Sequence, residues 1–212
     1  MTSGLAPRRL TERLLPVFAI VLALCTGTHA AARESGLQQN AAGWDVQQLM
    51  RELGAVKRSQ ARFVERKYLK VLKAPLELRG TLTYVAPGNL VKRTLTPKPE
   101  TLTVEGDRLT IESAARNERR TLRLQDYPVL WAFVESIRST LSGDIGALER
   151  FYRIELEGNR AHWRLYLVPR DPDMRAVISL INIGGSRDRL ERIEVQEAKG
   201  DRSVTTIVEE SR

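Results

Sequence analysis

The sequence is poor in side chains that bind metals or act as strong nucleophiles. It contains one cysteine, Cys25, and two histidines, His29 and His162, in 212 residues. Zinc sites built on paired Cys or His ligands are therefore excluded, and a single cysteine cannot form a disulfide within the chain. The fold must be stabilised by its core and by backbone hydrogen bonds. We expect no metal and no cofactor.

Motifs for catalysis are also missing. A Ser–His–acid triad would depend on His162, which lies in a predicted strand, and the chain has no nucleophile-elbow motif. Carboxylates spaced two apart, such as Glu155 and Glu157, are interleaved with arginines and are typical of a charged sheet face. Gly184-Gly185 lacks the spacing and the following helix of a phosphate loop. The sequence therefore predicts no catalytic residue and a non-enzymatic protein.

Long apolar runs are absent except for one short stretch near the N-terminus. This stretch is Leu14 to Leu24, which follows an arginine-containing segment and precedes small residues ending at Ala30. A transmembrane helix needs about 20 apolar residues, whereas this pattern is typical of a secretory signal peptide. We predict a signal peptide over residues 1–30 and a flexible segment over residues 31–43.

Two alternatives concern the same apolar stretch. It could stay attached as an N-terminal anchor, or Cys25 could be lipidated, as in bacterial lipoproteins. Leu24 precedes Cys25 at a position where lipidation normally needs a small residue, which argues against the second alternative. Cleavage after Ala30 removes the only cysteine, so the exported chain would lack disulfides in a compartment that permits them.

The charge is positive, but the two signs are mixed. The chain has 34 Lys and Arg against 26 Asp and Glu, and they alternate in segments such as residues 116–120. A nucleic-acid surface gathers basic side chains on one face, so we expect no nucleic-acid partner. Attraction to anionic lipid headgroups or to an acidic partner fits the excess charge better.

Residues 76–111 carry the clearest structural pattern. Leu78, Leu82 and Tyr84 share one parity with polar residues between them, which predicts a strand with one apolar face. Turn sequences rich in Pro, Gly and Asn interrupt the stretch at short intervals. The pattern predicts a meander of three or four short strands whose apolar face must be covered.

Two segments outside the meander have helical periodicity. Residues 44–56 and 129–141 repeat apolar side chains every three or four positions, as amphipathic helices do. Asp144 is a favourable N-cap for a further short helix. These segments predict a helix before the sheet and a helical insertion in its middle.

Further strands complete the predicted sheet. Ser59–Leu72 precedes the meander, and strands such as Met174–Ile183 follow the insertion, which gives roughly ten strands in all. Short turns between strands imply antiparallel pairing. We predict an α+β fold, mainly β, in which a curved antiparallel sheet is covered by helices on its concave side. Periodicity leaves open whether the concave side is filled or open to a ligand.

The ordered set of motifs resembles the LolA family, the periplasmic carriers of outer-membrane lipoproteins. The matching positions are Phe63 with Glu65, Gly80-Thr81-Leu82-Thr83-Tyr84-Val85-Ala86-Pro87, Asn89-Leu90, Pro99-Glu100 and Glu105-Gly106-Asp107-Arg108-Leu109. The likeness extends over about Trp44 to Val208. It implies an unclosed β-barrel wrapped around helices, over residues 44–212, with an apolar cavity that shields acyl chains from water.

The resemblance also implies a role and a location. The protein would be a monomeric carrier in the periplasm of a Gram-negative bacterium, moving an acylated lipoprotein or another lipid from an inner-membrane exporter to an outer-membrane acceptor. The cavity residues expected from this likeness, each of which could also be plain core, are Phe63, Leu78, Leu82, Tyr84, Leu90, Leu102, Val104, Leu109, Ile111, Trp131, Phe133, Val134 and Ile137.

Two positions depart from the family pattern. The residue before the conserved proline is usually an arginine that helps to hold the closed state, and here it is Ala86. The aromatic residue that usually follows Asn-Leu is replaced by Val91-Lys92-Arg93. A divergent relative with a different lipidic cargo fits these changes. The alternative from another class is a lipid- or lipoprotein-sensing regulator, since the same half-barrel occurs in periplasmic anti-sigma regulators such as RseB.

Overall fold

The computed structural model describes residues 44–209, so the predicted signal peptide and the segment 31–43 lie outside the described residues. The helices are α1 Val46–Ala55, α2 Pro128–Ser142, α3 Ile145–Phe151 and α4 Pro172–Arg175. The strands are β1 Arg58–Tyr68, β2 Leu76–Val85, β3 Asn89–Thr96, β4 Glu100–Glu105, β5 Arg108–Ser113, β6 Glu118–Arg123, β7 Tyr152–Asn159, β8 His162–Pro169, β9 Ile178–Ser186, β10 Arg189–Glu197 and β11 Arg202–Glu209.

All the strands belong to one antiparallel sheet with two open edges. Their order is β6-β5-β4-β3-β2-β1-β11-β10-β9-β8-β7. Two meanders, β1–β6 and β7–β11, are therefore joined where β1 pairs with β11, with Phe63 opposite Ile207. In the part of the chain that the structure describes, β6 and β7 have no further neighbour, so the sheet does not close. The predicted unclosed, mainly β architecture is confirmed.

The three longer helices begin and end where the sequence predicts. Asp45 caps α1, since its carboxylate accepts the Gln48 amide at 2.7 Å. Pro128 opens α2, and Gly143 ends it in the left-handed conformation, at φ 72°. Asp144 caps α3 by accepting the Ala147 amide at 2.8 Å. The predicted helices over residues 44–56 and 129–141 are confirmed.

Two predicted strands have different boundaries in the structure. The strand predicted over Ser59–Leu72 ends at Tyr68, and a loop over residues 69–75 follows it. The strand predicted over Met174–Ile183 begins only at Ile178. Asp171 is the reason, because its carboxylate accepts the Met174 amide at 2.9 Å and starts the short helix α4.

The driest part of the core lies under the helices, on the half of the sheet formed by β7 to β9. There α3 lies against β7, α4 lies against β8 and β9, and α2 packs on α1 and α3. Each fully buried leucine contributes about 1.5–3 kcal/mol of hydrophobic free energy. The side chains of this region that are at most 1% exposed are Leu49, Leu53, Leu148, Tyr152, Trp163, Leu165, Leu167, Met174, Ile178, Ile181 and Ile183.

Candidate functional site

The apolar side chains of the first meander share one face of the sheet, which we call the inner face. Register places them in two rows that cross β2, β3, β4 and β5. The row next to the β2–β3 turn is Tyr84, Leu90, Val104 and Leu109. The next row is Leu82, Lys92, Leu102 and Ile111. One lysine therefore stands in an otherwise apolar surface.

The predicted cavity residues fall into two groups by exposure. Those that are buried at 2–7% exposure are Phe63, Tyr84, Val104, Leu109, Ile111 and Val134. Those that are half-buried are Leu78, Leu82, Leu90, Leu102, Trp131, Phe133 and Ile137. The inner face of β2–β4 thus keeps part of its apolar surface accessible, whereas the inner face of β8 and β9 is completely covered.

Helix α2 buries the opposite face from the one its apolar stripe predicts. Of the stripe Leu130, Phe133, Val134, Ile137 and Leu141, only Val134 is buried. The buried side chains are mostly small or polar, namely Ala132, Glu135, Ser136, Ser139 and Thr140. Because small side chains permit close approach, this face packs against its neighbours and leaves the large apolar stripe half-buried.

Specific contacts hold the small face of α2 in place. The Tyr152 hydroxyl donates to the Ala132 carbonyl at 2.8 Å. A Cβ on Gly143 would lie 2.2 Å from the Met50 carbonyl oxygen, so α1 approaches the end of α2 through a position that tolerates no side chain. Trp131 lies against Phe151 of α3, with ring centroids 5.3 Å apart. Trp131 therefore packs within the helical layer.

A buried ion pair interrupts the inner face. The Lys92 ammonium lies 2.5 Å from Glu65 Oε2, and the Lys67 ammonium lies 3.8 Å from Glu65 Oε1. The Glu65 side chain is 6% exposed, and Lys92 also lies over the Phe63 ring, 5.0 Å from its centroid. Burial raises the pKa of Glu65, but Lys92 and Lys67 together outweigh it, so the pKa lies below its usual value.

Gly80 on β2 lies directly opposite Phe63 on β1. A Cβ on Gly80 would lie 1.9 Å from the Arg93 carbonyl oxygen and 2.9 Å from Phe63 Cε1. The Phe63 ring therefore occupies the space that a side chain on β2 would need. From this position it supports the Lys92 ammonium, which reaches across β2 to Glu65 on β1.

Gly80→Ala is expected to destabilise the protein by about 3 kcal/mol, because a methyl group has no room there. Chemical denaturation of the purified variant measures this change. Gly146→Ala is the matched control, because a Cβ on Gly146 meets only Asp144 Oδ1 at 3.7 Å, within helix α3. The control should be neutral or more stable by up to about 1 kcal/mol. Equal effects of the two substitutions would contradict the close packing at Gly80.

Arg138 connects α2 to the turns of the first meander. Its guanidinium donates to the Gly106 carbonyl at 2.6 Å and pairs with the buried Glu135. Its aliphatic stem covers Gly88, where a Cβ would lie 2.5 Å from Arg138 Cδ. The turn that carries Ala86 in place of the family arginine is therefore contacted by an arginine from the helix. Sequence periodicity did not single out Arg138, because it lies beside the apolar stripe.

One buried polar atom on the inner face has no partner. The Tyr84 hydroxyl makes no hydrogen bond with any residue in the described range, although Tyr84 is only 3% exposed. Burial raises the pKa of this hydroxyl, so it stays protonated. An unpaired buried hydroxyl is costly, and it can donate a hydrogen bond to a carbonyl or ester oxygen.

Metal coordination is a second kind of site to consider over the same residues. Between Trp44 and Val208, no group of three His, Cys, Asp or Glu side chains could hold a metal ion. His162 is exposed at the start of β8. Within the described range, no helix has both the length and the apolar character needed to cross a membrane.

The sheet, its inner face and the one-sided helical layer define a half-barrel protein with a partly accessible apolar interior. The chain belongs to the family described as "Outer membrane lipoprotein carrier protein LolA-like", which matches residues 38–211. The predicted resemblance is confirmed, and the protein is a member of a lipoprotein-carrier-like family. No curated protein matches the sequence.

Solved structures with a similar fold share little sequence with this chain. A LolA superfamily protein from Nitrosomonas europaea is 11% identical, with a TM-score of 0.43, and the match covers 78% of this chain and 92% of that one. An outer membrane lipoprotein-sorting protein domain from Vibrio parahaemolyticus is 8% identical, with a TM-score of 0.42 and coverages of 78% and 92%. The MucA/MucB complex of Pseudomonas aeruginosa gives 15% identity, a TM-score of 0.43 and coverages of 77% and 56%.

Proposed function

We propose that this protein is a periplasmic carrier that shields the acyl chains of a lipoprotein or another lipidic cargo between the inner and outer membranes. The observation that carries the proposal is the uneven burial of the inner face. Leu78, Leu82, Leu90 and Leu102 remain half-buried on β2–β4, while the equivalent face of β8 and β9 is dry core. An apolar surface left partly open in this way has the chemistry to cover an acyl chain.

The energetics of such a carrier need no catalytic group. Each methylene transferred from water to an apolar surface contributes about 0.8 kcal/mol, so a long acyl chain is bound by contact area alone. The half-buried stripe of α2, including Phe133 and Ile137, supplies a second apolar surface. The unpaired Tyr84 hydroxyl would donate to an ester or amide oxygen of the cargo. Binding without chemistry agrees with the non-enzymatic role predicted from composition.

The remaining parts of the proposal follow from the family. Export would use the predicted signal peptide over residues 1–30, and the carrier would receive cargo from an inner-membrane exporter and release it to an outer-membrane acceptor. The contact between Arg138 and the turn glycines Gly88 and Gly106 would help to hold α2 over the sheet before cargo enters.

Mass spectrometry of lipids extracted from the exported protein tests the proposal directly. We expect a stoichiometric acylated molecule to co-purify, and we expect the delipidated protein to take up a fluorescent fatty acid that the extracted lipid displaces. A folded, delipidated protein that binds no fatty acid and no acylated peptide would overturn the carrier proposal. Specific binding to an inner-membrane regulator in that situation would support the sensor alternative instead.

A further inference from the structure

The end of the sheet that carries the β1–β2 loop exposes an unusual amount of apolar surface. Val71 is 55% exposed, Leu72 46%, Leu76 39% and Leu95 53%. Most large apolar side chains elsewhere in the described range are buried or half-buried. Apolar residues grouped in this way mark an interaction surface more often than single exposed ones do.

Strand register brings these residues to the same end of three adjacent strands. Leu76 is opposite Lys67 near the end of β1, and Arg79 is opposite Thr96 near the end of β3. The loop over residues 69–75 and the turn over residues 97–99 therefore leave the sheet at one end. We call the residues Lys70, Val71, Leu72, Lys73, Leu76, Leu95 and Lys98 the rim.

The rim carries positive charge that the surrounding acids do not neutralise. Lys70, Lys73 and Lys98 are exposed, and none of them forms an ion pair with a residue that the structure describes. The nearby Glu77 is already paired with Arg66 at 3.0 Å and Arg79 at 2.6 Å.

A second acid next to the rim is engaged as well. Asp201 is buried, and its carboxylate accepts the backbone amide of Lys70 at 2.9 Å. This hydrogen bond fixes the start of the β1–β2 loop, and the Lys70 side chain lies against Gly200. The rim therefore combines apolar side chains with lysines that form no ion pair within residues 44–209.

The composition of the rim favours a lipid surface over a protein. Protein interfaces are depleted in lysine and are anchored by tryptophan, tyrosine and arginine. Aliphatic side chains flanked by lysines suit a bilayer boundary, because the lysine stems contact apolar groups while the ammonium binds lipid phosphate. Tyr68 adds an amphipathic ring at the base of the rim, where Arg202 stacks over it at 4.4 Å.

We propose that the rim docks the protein on the surface of an anionic bilayer. Val71 and Leu72 enter the boundary between headgroups and acyl chains, and Lys70, Lys73 and Lys98 contact lipid phosphates. Leu78, at the corresponding end of the inner face, lies two residues along β2 from Leu76, so docking would bring the apolar interior next to the lipid. This inference goes beyond cargo binding and does not depend on it.

Co-sedimentation of the exported protein with vesicles tests the proposal. We expect binding to phosphatidylcholine vesicles that contain phosphatidylglycerol, and weaker binding to pure phosphatidylcholine or at raised salt. Val71→Ser/Leu72→Ser and Lys73→Gln/Lys98→Gln should each weaken binding by about tenfold. Failure of the unaltered protein to bind anionic vesicles, or binding that salt and lipid charge do not change, would overturn it.

Matched controls distinguish vesicle binding through the rim from non-specific vesicle binding and from cargo binding. Val208→Ser alters a side chain that is 57% exposed on β11, and Arg108→Gln removes a charge from the opposite end of the sheet. Both should bind vesicles as the unaltered protein does, and an equal loss would contradict the proposal. The rim variants should keep fatty-acid uptake in vesicle-free solution. Vesicle binding without uptake would contradict the carrier role alone.

Discussion

Leu82→Glu is expected to lower the affinity of the delipidated protein for a fluorescent fatty acid by about 100-fold, which corresponds to about 2.7 kcal/mol. Leu82 is half-buried in the centre of the inner face, between Ala61 on β1 and Lys92 on β3. A carboxylate there stays hydrated while the site is empty. Acyl chains would have to remove that water without offering a hydrogen bond in return. Fluorescence titration measures the change.

The same substitution should leave the fold largely intact. Leu82 is not part of the dry core, and the Lys92 ammonium on the neighbouring strand can donate a hydrogen bond to the new carboxylate. We therefore expect a loss of only about 1 kcal/mol in the free energy of unfolding. Loss of folding in parallel with binding would show that Leu82 is ordinary core.

Leu165→Ala provides the opposite control. Leu165 is 0% exposed beneath the helices, so its truncation should cost about 2–5 kcal/mol of stability. The variant molecules that remain folded should bind fatty acid with unchanged affinity, because Leu165 lies in the filled half of the interior. Reduced affinity in this variant would mean that the fatty acid binds to the half of the sheet that contains Leu165, which would contradict a binding surface on β2–β4.

The sheet was predictable because its signals are local. Alternation at Leu78, Leu82 and Tyr84 and the turn residues between strands depend on neighbours a few positions away. The same holds for the caps at Asp144 and Gly143, which satisfy backbone groups of their own helices. The strand predicted to begin at Met174 begins later in the structure, because Asp171 caps a short helix there.

The orientation of α2 was not predictable, because it depends on contacts distant in sequence. Periodicity identifies the stripe with Phe133 and Ile137 as the apolar face, but it gives no weight to Ser136 and Ser139. Those small residues are buried because α1 and α3 pack against α2, which only the assembled fold decides. The apolar stripe of α2 is therefore half-buried and not packed into the core. This half-buried stripe leaves the interior partly accessible.

The ion pair on the inner face was not predicted from the sequence, because it also depends on contacts that are distant in sequence. Lys92 lies in Val91-Lys92-Arg93, the segment that replaces the aromatic residue of the family, and its partner Glu65 lies on another strand. Only the register of β1, β2 and β3 shows that the two charges can meet across Gly80. Lys92, which lies in a segment that departs from the family pattern, therefore pairs with Glu65, which matches the pattern.

Lys92→Met is expected to destabilise the protein by up to about 3 kcal/mol at neutral pH, since it removes the nearer of the two partners of the buried Glu65 carboxylate. Glu65 would keep only Lys67, whose ammonium lies 3.8 Å away, compared with 2.5 Å for Lys92. Lys67→Met is the matched control, because it removes the same charge from the other carboxylate oxygen. Its cost should be below about 1 kcal/mol. Guanidinium unfolding at equal protein concentration compares the two variants.

The pH dependence of this loss has a defined sign. In the unaltered protein the pKa of Glu65 lies below its usual value of 4.5. Its contribution to stability is therefore present above that value and is lost as the pH falls through the folded-state pKa. In Lys92→Met only Lys67 still opposes the effect of burial, so we expect the pKa of Glu65 to rise and the stability gained at higher pH to become smaller. The difference between the two proteins should shrink from pH 7 towards pH 4.

Removing both partners separates the cost of an unpaired charge from the value of the pair. Glu65→Leu/Lys92→Met replaces the pair by apolar groups, which is often neutral or stabilising for buried ion pairs. We expect the double variant to recover most of the stability lost in Lys92→Met, with a coupling energy of about 2–3 kcal/mol. Additive losses would mean that Glu65 and Lys92 act independently. Recovery combined with tighter fatty-acid binding would show that the pair limits how much of the inner face an acyl chain can use.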